Sequence, residues 1–141
     1  MDLSNFKDDE TKDRVRRENF KRAGVLLEAV RENDIERVKK LLCYDDKSEE
    51  KVKFRKWYVN EKAWNDWIAL HAAAEQGSIP MTKFLIECGS EINAISDVLY
   101  TPLHLGTQAI NHKKNYRFLI QWGFNFLSNT NAIDCYKYID N

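Results

Sequence analysis

The chain has little of what marks most specialised proteins. Its 141 residues include two prolines, five glycines and three cysteines, and lysine plus arginine equals aspartate plus glutamate at 22 each. Zero net charge leaves no global field to draw in nucleic acid or an anionic membrane. No apolar run approaches the ~20 residues of a membrane span, and the polar, acidic start lacks the shape of a signal peptide. Cys43, Cys88 and Cys135 are far apart, odd in number and outside any CxxC. They read as reduced, partly buried thiols rather than a disulfide framework or a metal set. A soluble cytoplasmic protein is expected, with the nucleus as the other setting. Also missing are a Gly-rich phosphate loop, an HExxH helix, a GxSxG elbow and paired carboxylates beside a nucleophile. The sequence therefore predicts no catalytic, cofactor-binding or metal-binding residues.

What the chain does have is a period. "ALHAAAEQG" at 69–77 and "TPLHLGTQ" at 101–108 place His71 and His104 33 residues apart. After each comes a second apolar segment, "MTKFLIECG" at 81–89 and "NYRFLIQWG" at 115–123. "SEINA" and "FNFLS" then follow in the same order. Thr101 is placed to cap a helix whose first residue is Pro102, where a missing amide costs nothing. Leu70 and Leu103 are expected to point inward, and Ala72, Ala73 and Ala74 are small enough for close helix approach. Gly77, Gly89 and Gly123 stand where helices end and a left-handed residue is convenient. Ile79, Met81, Phe84, Leu85 and Ile86 give the second helix its buried stripe.

Self-similarity at this spacing with T-P-L-H resembles the ankyrin repeat family. The resemblance implies an all-α fold: an ankyrin-repeat solenoid of about three to four helix-turn-helix repeats with hairpin tips, plus an N-terminal charged helix. "GVLLEAVRENDIERVKKLL" at 24–42 fits the template without its polar signature. Leu26 and Leu27 replace Leu-His, Asn33 takes the glycine's place, and Ile35, Val38, Leu41 and Leu42 form the stripe. Residues 9–20 read as a further charged helix anchored by Val15 and Phe20. "NAIDCYKYIDN" at 131–141 resembles the opening of a fourth repeat, with Ile133, Tyr136 and Ile139 as packing residues. It is either a C-terminal cap or the edge of a longer array. The expected domain is 1–141, with 1–23 as a capping extension and 24–66 as the first repeat. The second repeat is 67–96, the third 97–129, and the partial fourth or cap 130–141. The family's histidine at positions 71 and 104 is structural, tying neighbouring repeats by hydrogen bonds.

Three departures stand out. The connection after the first repeat is about eleven residues longer than the period allows. This insertion, 43–66, carries Phe54, Trp57, Tyr58 and Trp64 among alternating charges, and aromatic content of that kind favours order over a solvated loop. The glycine expected in each hairpin is replaced by Asp66 and Leu99. A leucine at positive φ is strained, so that tip is expected to adopt a different turn. The third repeat carries one extra residue near "AINHKK", with Ile110 standing in for an apolar residue displaced by Lys113.

The resemblance implies a non-enzymatic module, adaptor or scaffold, binding a protein or peptide on a concave surface of tips and first helices. Its positions transfer to Trp64, Asn65 and Trp67 on one tip, with Glu75 and Gln76 on the following helix. On the next tip they transfer to Asp97, Val98 and Tyr100, followed by Gln108 and Ala109. Arg31 and Glu32 extend the surface into the first repeat. Two tryptophans and a tyrosine suit binding hot spots, although either Trp could instead fold beneath the insertion. Trp122 reads as packing on the outer side. Two alternatives accompany this reading. "KVKF" at 51–54 resembles the motif by which regulatory subunits dock on protein phosphatase 1, which needs it exposed and extended. The chain could also be the ankyrin segment of a larger enzyme or channel.

Overall fold

The computed structural model describes residues 8–108, the last two by backbone alone. Six α-helices follow one another: α1 Asp9–Arg31, α2 Ile35–Leu41, α3 Glu49–Val59, α4 Ala69–Gln76, α5 Ile79–Glu87 and α6 Pro102–Gln108. A single 3-10 turn, Trp64–Asp66, precedes α4. The expectations for Ile110, Lys113, Trp122, Gly123, Cys135 and the fourth repeat lie outside the described residues.

Helix α4 packs against α1 on one side and α6 on the other, so these three form one layer. Helix α2 pairs with α1 and α5 with α4, which builds the second layer. Between them lie Leu26, Leu27, Val30, Val38, Leu42, Leu70, Met81, Leu85 and Leu103, all essentially without solvent contact. Ala72, Ala73 and Ala74 are fully buried in α4, whose neighbours on both flanks leave no room for larger side chains. Truncating any one of the buried leucines to alanine is expected to cost about 2–5 kcal/mol.

Local chemistry sets the helix ends. Asp34 caps α2 by accepting from the Arg37 amide at 3.0 Å, and Ser78 caps α5 through the Met81 amide at 3.4 Å. Asn33, Gly77 and Gly89 all adopt positive φ, at 55°, 71° and 95°, where the sequence places them. Cys43 does the same at 50° after α2, a position that no glycine or asparagine marks.

Two sequence expectations are corrected at the N-terminal side. The charged segment 9–20 is not a separate helix but the first half of α1, which runs unbroken for 23 residues, about 35 Å. Nor do Val15 and Phe20 anchor it: Phe20 is half exposed, Val15 is only partly buried, and Asn19 is the buried residue there. The cause is length. Helix α4 has 8 residues, about 12 Å, so the first turns of α1 extend past the layer that α4 shares with it.

The insertion is ordered, as its aromatics suggest, and its centre is α3. Arg55 is buried on α3 and donates to the carbonyls of Leu42 (3.3 Å), Cys43 (3.0 Å), Tyr44 (3.1 Å) and Asp46 (2.9 Å). Those are the carbonyls that the end of α2 and the turn after it leave without helical partners, so a cation from elsewhere in the chain caps the helix. The Tyr58 hydroxyl donates to the Arg22 carbonyl at 2.7 Å and pins α3 to α1. Asn60 reaches forward, donating to the Gly89 carbonyl at 2.9 Å and accepting from the Glu91 amide at 2.6 Å. This placement also corrects the strand reading of "KVKF". Residues 51–54 are helical, and docking them as a strand requires unwinding a helix that buries Arg55, Tyr58 and Val59.

Candidate interaction face

The candidate surface is built on two turns that share the same closing hydrogen bond. The Ala63 amide donates to the Trp67 carbonyl at 2.9 Å, and 33 residues on the Ser96 amide donates to the Tyr100 carbonyl at 2.9 Å. Among the described residues no strand is assigned, so these tips are closed turns rather than β-ladders. The Asp97 amide donates to the Asn65 carbonyl at 3.0 Å and fastens one tip to the other. Asp66 and Leu99 occupy equivalent places and both have positive φ, 56° and 64°. Leu99 takes a positive φ all the same, yet its tip does turn differently. At the first tip Asn65 and Asp66 are both left-handed, and the Trp67 amide donates to the Trp64 carbonyl at 3.1 Å. At the other tip only Leu99 is left-handed, and its amide donates to the Ser96 carbonyl at 3.0 Å. The closing bond across the tip and the Ser96 hydroxyl, which accepts from the Tyr100 amide at 3.1 Å, hold the leucine in the left-handed region.

Behind each tip stands a buried histidine. The Nδ1 of His71 accepts from the Ile68 amide at 3.1 Å, which replaces the capping hydroxyl that isoleucine lacks. That bond fixes the proton on Nε2, which donates to the Tyr100 carbonyl at 3.0 Å. One imidazole thus caps α4 and ties the second repeat to the third tip, the role that the family resemblance implies. Burial is the main cause holding the His71 pKa down to about 4, so the ring is neutral at physiological pH. The Nδ1 of His104 accepts from the Thr101 amide at 3.0 Å in the same way, and burial lowers its pKa as well.

The candidate side chains sort into groups. Trp67 stacks on His71 with ring centres 5.9 Å apart, and Tyr100 stacks on His104 at 5.2 Å with nearly parallel rings. Arg31 lies over both Trp64 and Trp67, its guanidinium carbon 5.6 and 5.5 Å from the ring centres. Trp64 rests against α1 at Gly24, where an added Cβ would come within 3.1 Å of the ring. Both tryptophans are half-buried, held by α1 and His71 rather than hidden beneath the insertion. Asn65, Asp97, Val98 and Gln76 are exposed and Glu75 is partly so. Glu32 is turned away into an ion pair with Arg37 at 2.9 Å. Gln108 lies in α6, and Ala109 is outside the described residues.

Sequence reasoning treated Asp66 and Leu99 as turn problems and overlooked them as surface. Both are exposed at the crests of the tips, and Leu99 exposes 58% of its area beside Val98 at 59%. The signal was available, since the crest is the place in the period where a glycine was expected.

No reactive centre accompanies this face among the described residues. Among the described residues no group of three or more His, Cys, Asp and Glu could hold a metal ion, and no helix is long and apolar enough to cross a membrane. Cys88 is a buried free thiol whose pKa burial pushes up to about 11, an unreactive state, and Cys43 is free and partly buried. A search of the curated proteins found no match. The family model for ankyrin repeats (three copies) matches residues 26–130, most of the chain. Members of that family are interaction modules rather than catalysts. With paired helices repeating at 33 residues and a histidine tie between repeats, this chain belongs to the ankyrin repeat family.

Proposed function

We propose that the chain binds a protein or peptide partner across the face made by the two tips and helices α1, α4 and α6, in the cytoplasm or nucleus. The observation that carries this reading is the repeated aromatic-on-histidine stack, Trp67 on His71 and Tyr100 on His104. Large aromatic side chains held half-exposed on a rigid, buried support lose little conformational freedom when a partner covers them. Core packing alone does not require an aromatic ring at that height in two successive repeats. Asn65, Asp97 and Val98 supply the polar and aliphatic surroundings of the stacks, and Glu75 and Gln76 lie at the end of α4.

A pull-down from cell lysate tests the proposal, comparing wild type with Trp67→Ala/Tyr100→Ala and using circular dichroism to establish that both are folded. A partner retained by wild type and lost at least about tenfold by the folded double variant supports the face. Equal retention by both moves the site elsewhere on the molecule.

A further inference from the structure

Arg31 is set up in a way that its neighbours do not use. It is the last residue of α1 and is exposed, yet its guanidinium is not a freely waving group. Trp64 and Trp67 lie 5.6 and 5.5 Å from it, ring centre to guanidinium carbon. The two rings are themselves braced, Trp64 by the close approach at Gly24 and Trp67 by the buried His71. The carboxylate next in sequence, Glu32, is occupied by Arg37. Among the described residues Arg31 has no hydrogen-bond or ion-pair partner of its own. A guanidinium lying over aromatic rings still has in-plane N–H groups to offer an acceptor, and their fork matches the two oxygens of a carboxylate.

We propose that Arg31, lying over Trp64 and Trp67, is a preorganised receptor for a single carboxylate carried by an extended segment of a partner protein. The inference rests on the interaction-face reading above and names the chemistry of its ligand. The guanidinium is complementary to an anion, and the acidic residues on the tips favour a ligand with one acidic group over a run of them. Asp66 and Asp97 lie on the two linked tips, and Glu75 lies near the end of α4. A run of phosphates reaching Arg31 would meet this negative fringe. A polypeptide can place one aspartate, one glutamate or its C-terminal carboxylate on Arg31. It can also lay neutral or basic residues along the rest, against the exposed Val98 and Leu99.

Peptides selected from a random twelve-residue phage-displayed library on the full chain provide the probe, with affinities measured by fluorescence anisotropy. The expected peptides share one acidic residue. Changing it to its amide weakens binding to wild type about tenfold or more, but leaves binding to Arg31→Gln unaltered, because the partner group is already gone. Arg31→Lys restores only part of the loss, since it returns the charge without the planar fork. Peptides insensitive to Arg31→Gln but lost by Trp67→Ala/Tyr100→Ala overturn the carboxylate site and leave the interaction face standing. Peptides insensitive to both variants overturn both. Failure to enrich any peptide, or Arg31-dependent binding of a twelve-residue oligouridine as tight as that of the peptides, overturns the carboxylate inference.

Discussion

Two connections in this molecule do the same topological job by different means. Residues 88–101 lead from α5 to the third tip, and residues 42–68 lead from α2 to the second. The shorter one needs Gly89, the Ser96 bonds and the His71 tie. The longer one contains a whole helix, yet it delivers the chain to a tip closed by the same hydrogen bond between equivalent residues. What makes this possible is that the insertion is fastened at both ends. Arg55 holds its start to the end of α2, and Asn60 holds its finish to the loop after α5. An inserted segment therefore need not perturb an array if its own side chains satisfy the backbone it disrupts.

Removing Arg55 should break that equivalence most severely. Arg55→Met keeps the stem of the side chain but strips its partner from the carbonyls of Leu42, Cys43, Tyr44 and Asp46. The Cys43 and Tyr44 carbonyls keep the Asp46 amide and the Lys47 ammonium, and only the Leu42 bond is fully buried. A loss of about 3–4 kcal/mol is therefore expected from the charge-assisted bonds removed. Hydrogen exchange should show protection falling first in 42–60 while α4 and α5 stay protected. A loss below about 1 kcal/mol in urea denaturation, with α3 still protected, would show that aromatic packing alone holds the insertion.

The shorter connection has its own single point of failure in His71. His71→Ala removes the cap of α4 and the tie to Tyr100 and leaves a small cavity, so about 3 kcal/mol of stability should be lost. The same residue makes stability depend on pH. Burial lowers its pKa from 6.5 to about 4 in the folded chain. Above pH 6.5 the ring is neutral in both states and the full contribution is present. As pH falls below 6.5 the unfolded chain takes up a proton that the folded chain refuses, so stability declines by about 1.4 kcal/mol per unit, roughly 3 kcal/mol by pH 4. His104 shifts in the same direction and adds to the slope. Urea titrations between pH 7.5 and 4.5 should show this slope in wild type and a shallower one in His71→Ala. Identical slopes would remove His71 as the source.

How far each region was legible follows from where its information resides. Thr101, Pro102, the two histidines, the alanines of α4 and the stripe of α5 announce themselves because each residue type answers a local demand. The continuity of α1 through Gly24 was not visible, since a glycine inside a helix costs only about 1 kcal/mol and packing settles the matter. The helical state of 51–54 was hidden for a related reason, because its support comes from Arg55, Tyr58 and their distant partners. At the candidate face the aromatic positions could be read from the period. The position of Arg31 over the two tryptophans could not, as it joins residues far apart in sequence through rings whose orientation depends on Gly24 and His71.

The two tips offer the finest comparison and the smallest effects. Asp66 and Leu99 have nearly the same positive φ, but aspartate tolerates the left-handed region and leucine does not. Replacing Leu99 with glycine removes the clash of Cβ with the backbone. It also raises the entropy of the unfolded chain, so the gain is held to about 0.5–1 kcal/mol. Asp66→Gly should change stability by a few tenths of a kcal/mol at most, because little strain exists to be relieved. Thermal melts of the two variants beside wild type check the pair. A higher melting temperature for Leu99→Gly and an unchanged one for Asp66→Gly would show that the array imposes the turn and the residue merely endures it. If Leu99→Gly is instead neutral or destabilising, the side chain's contacts, more than half exposed though it is, repay the strain.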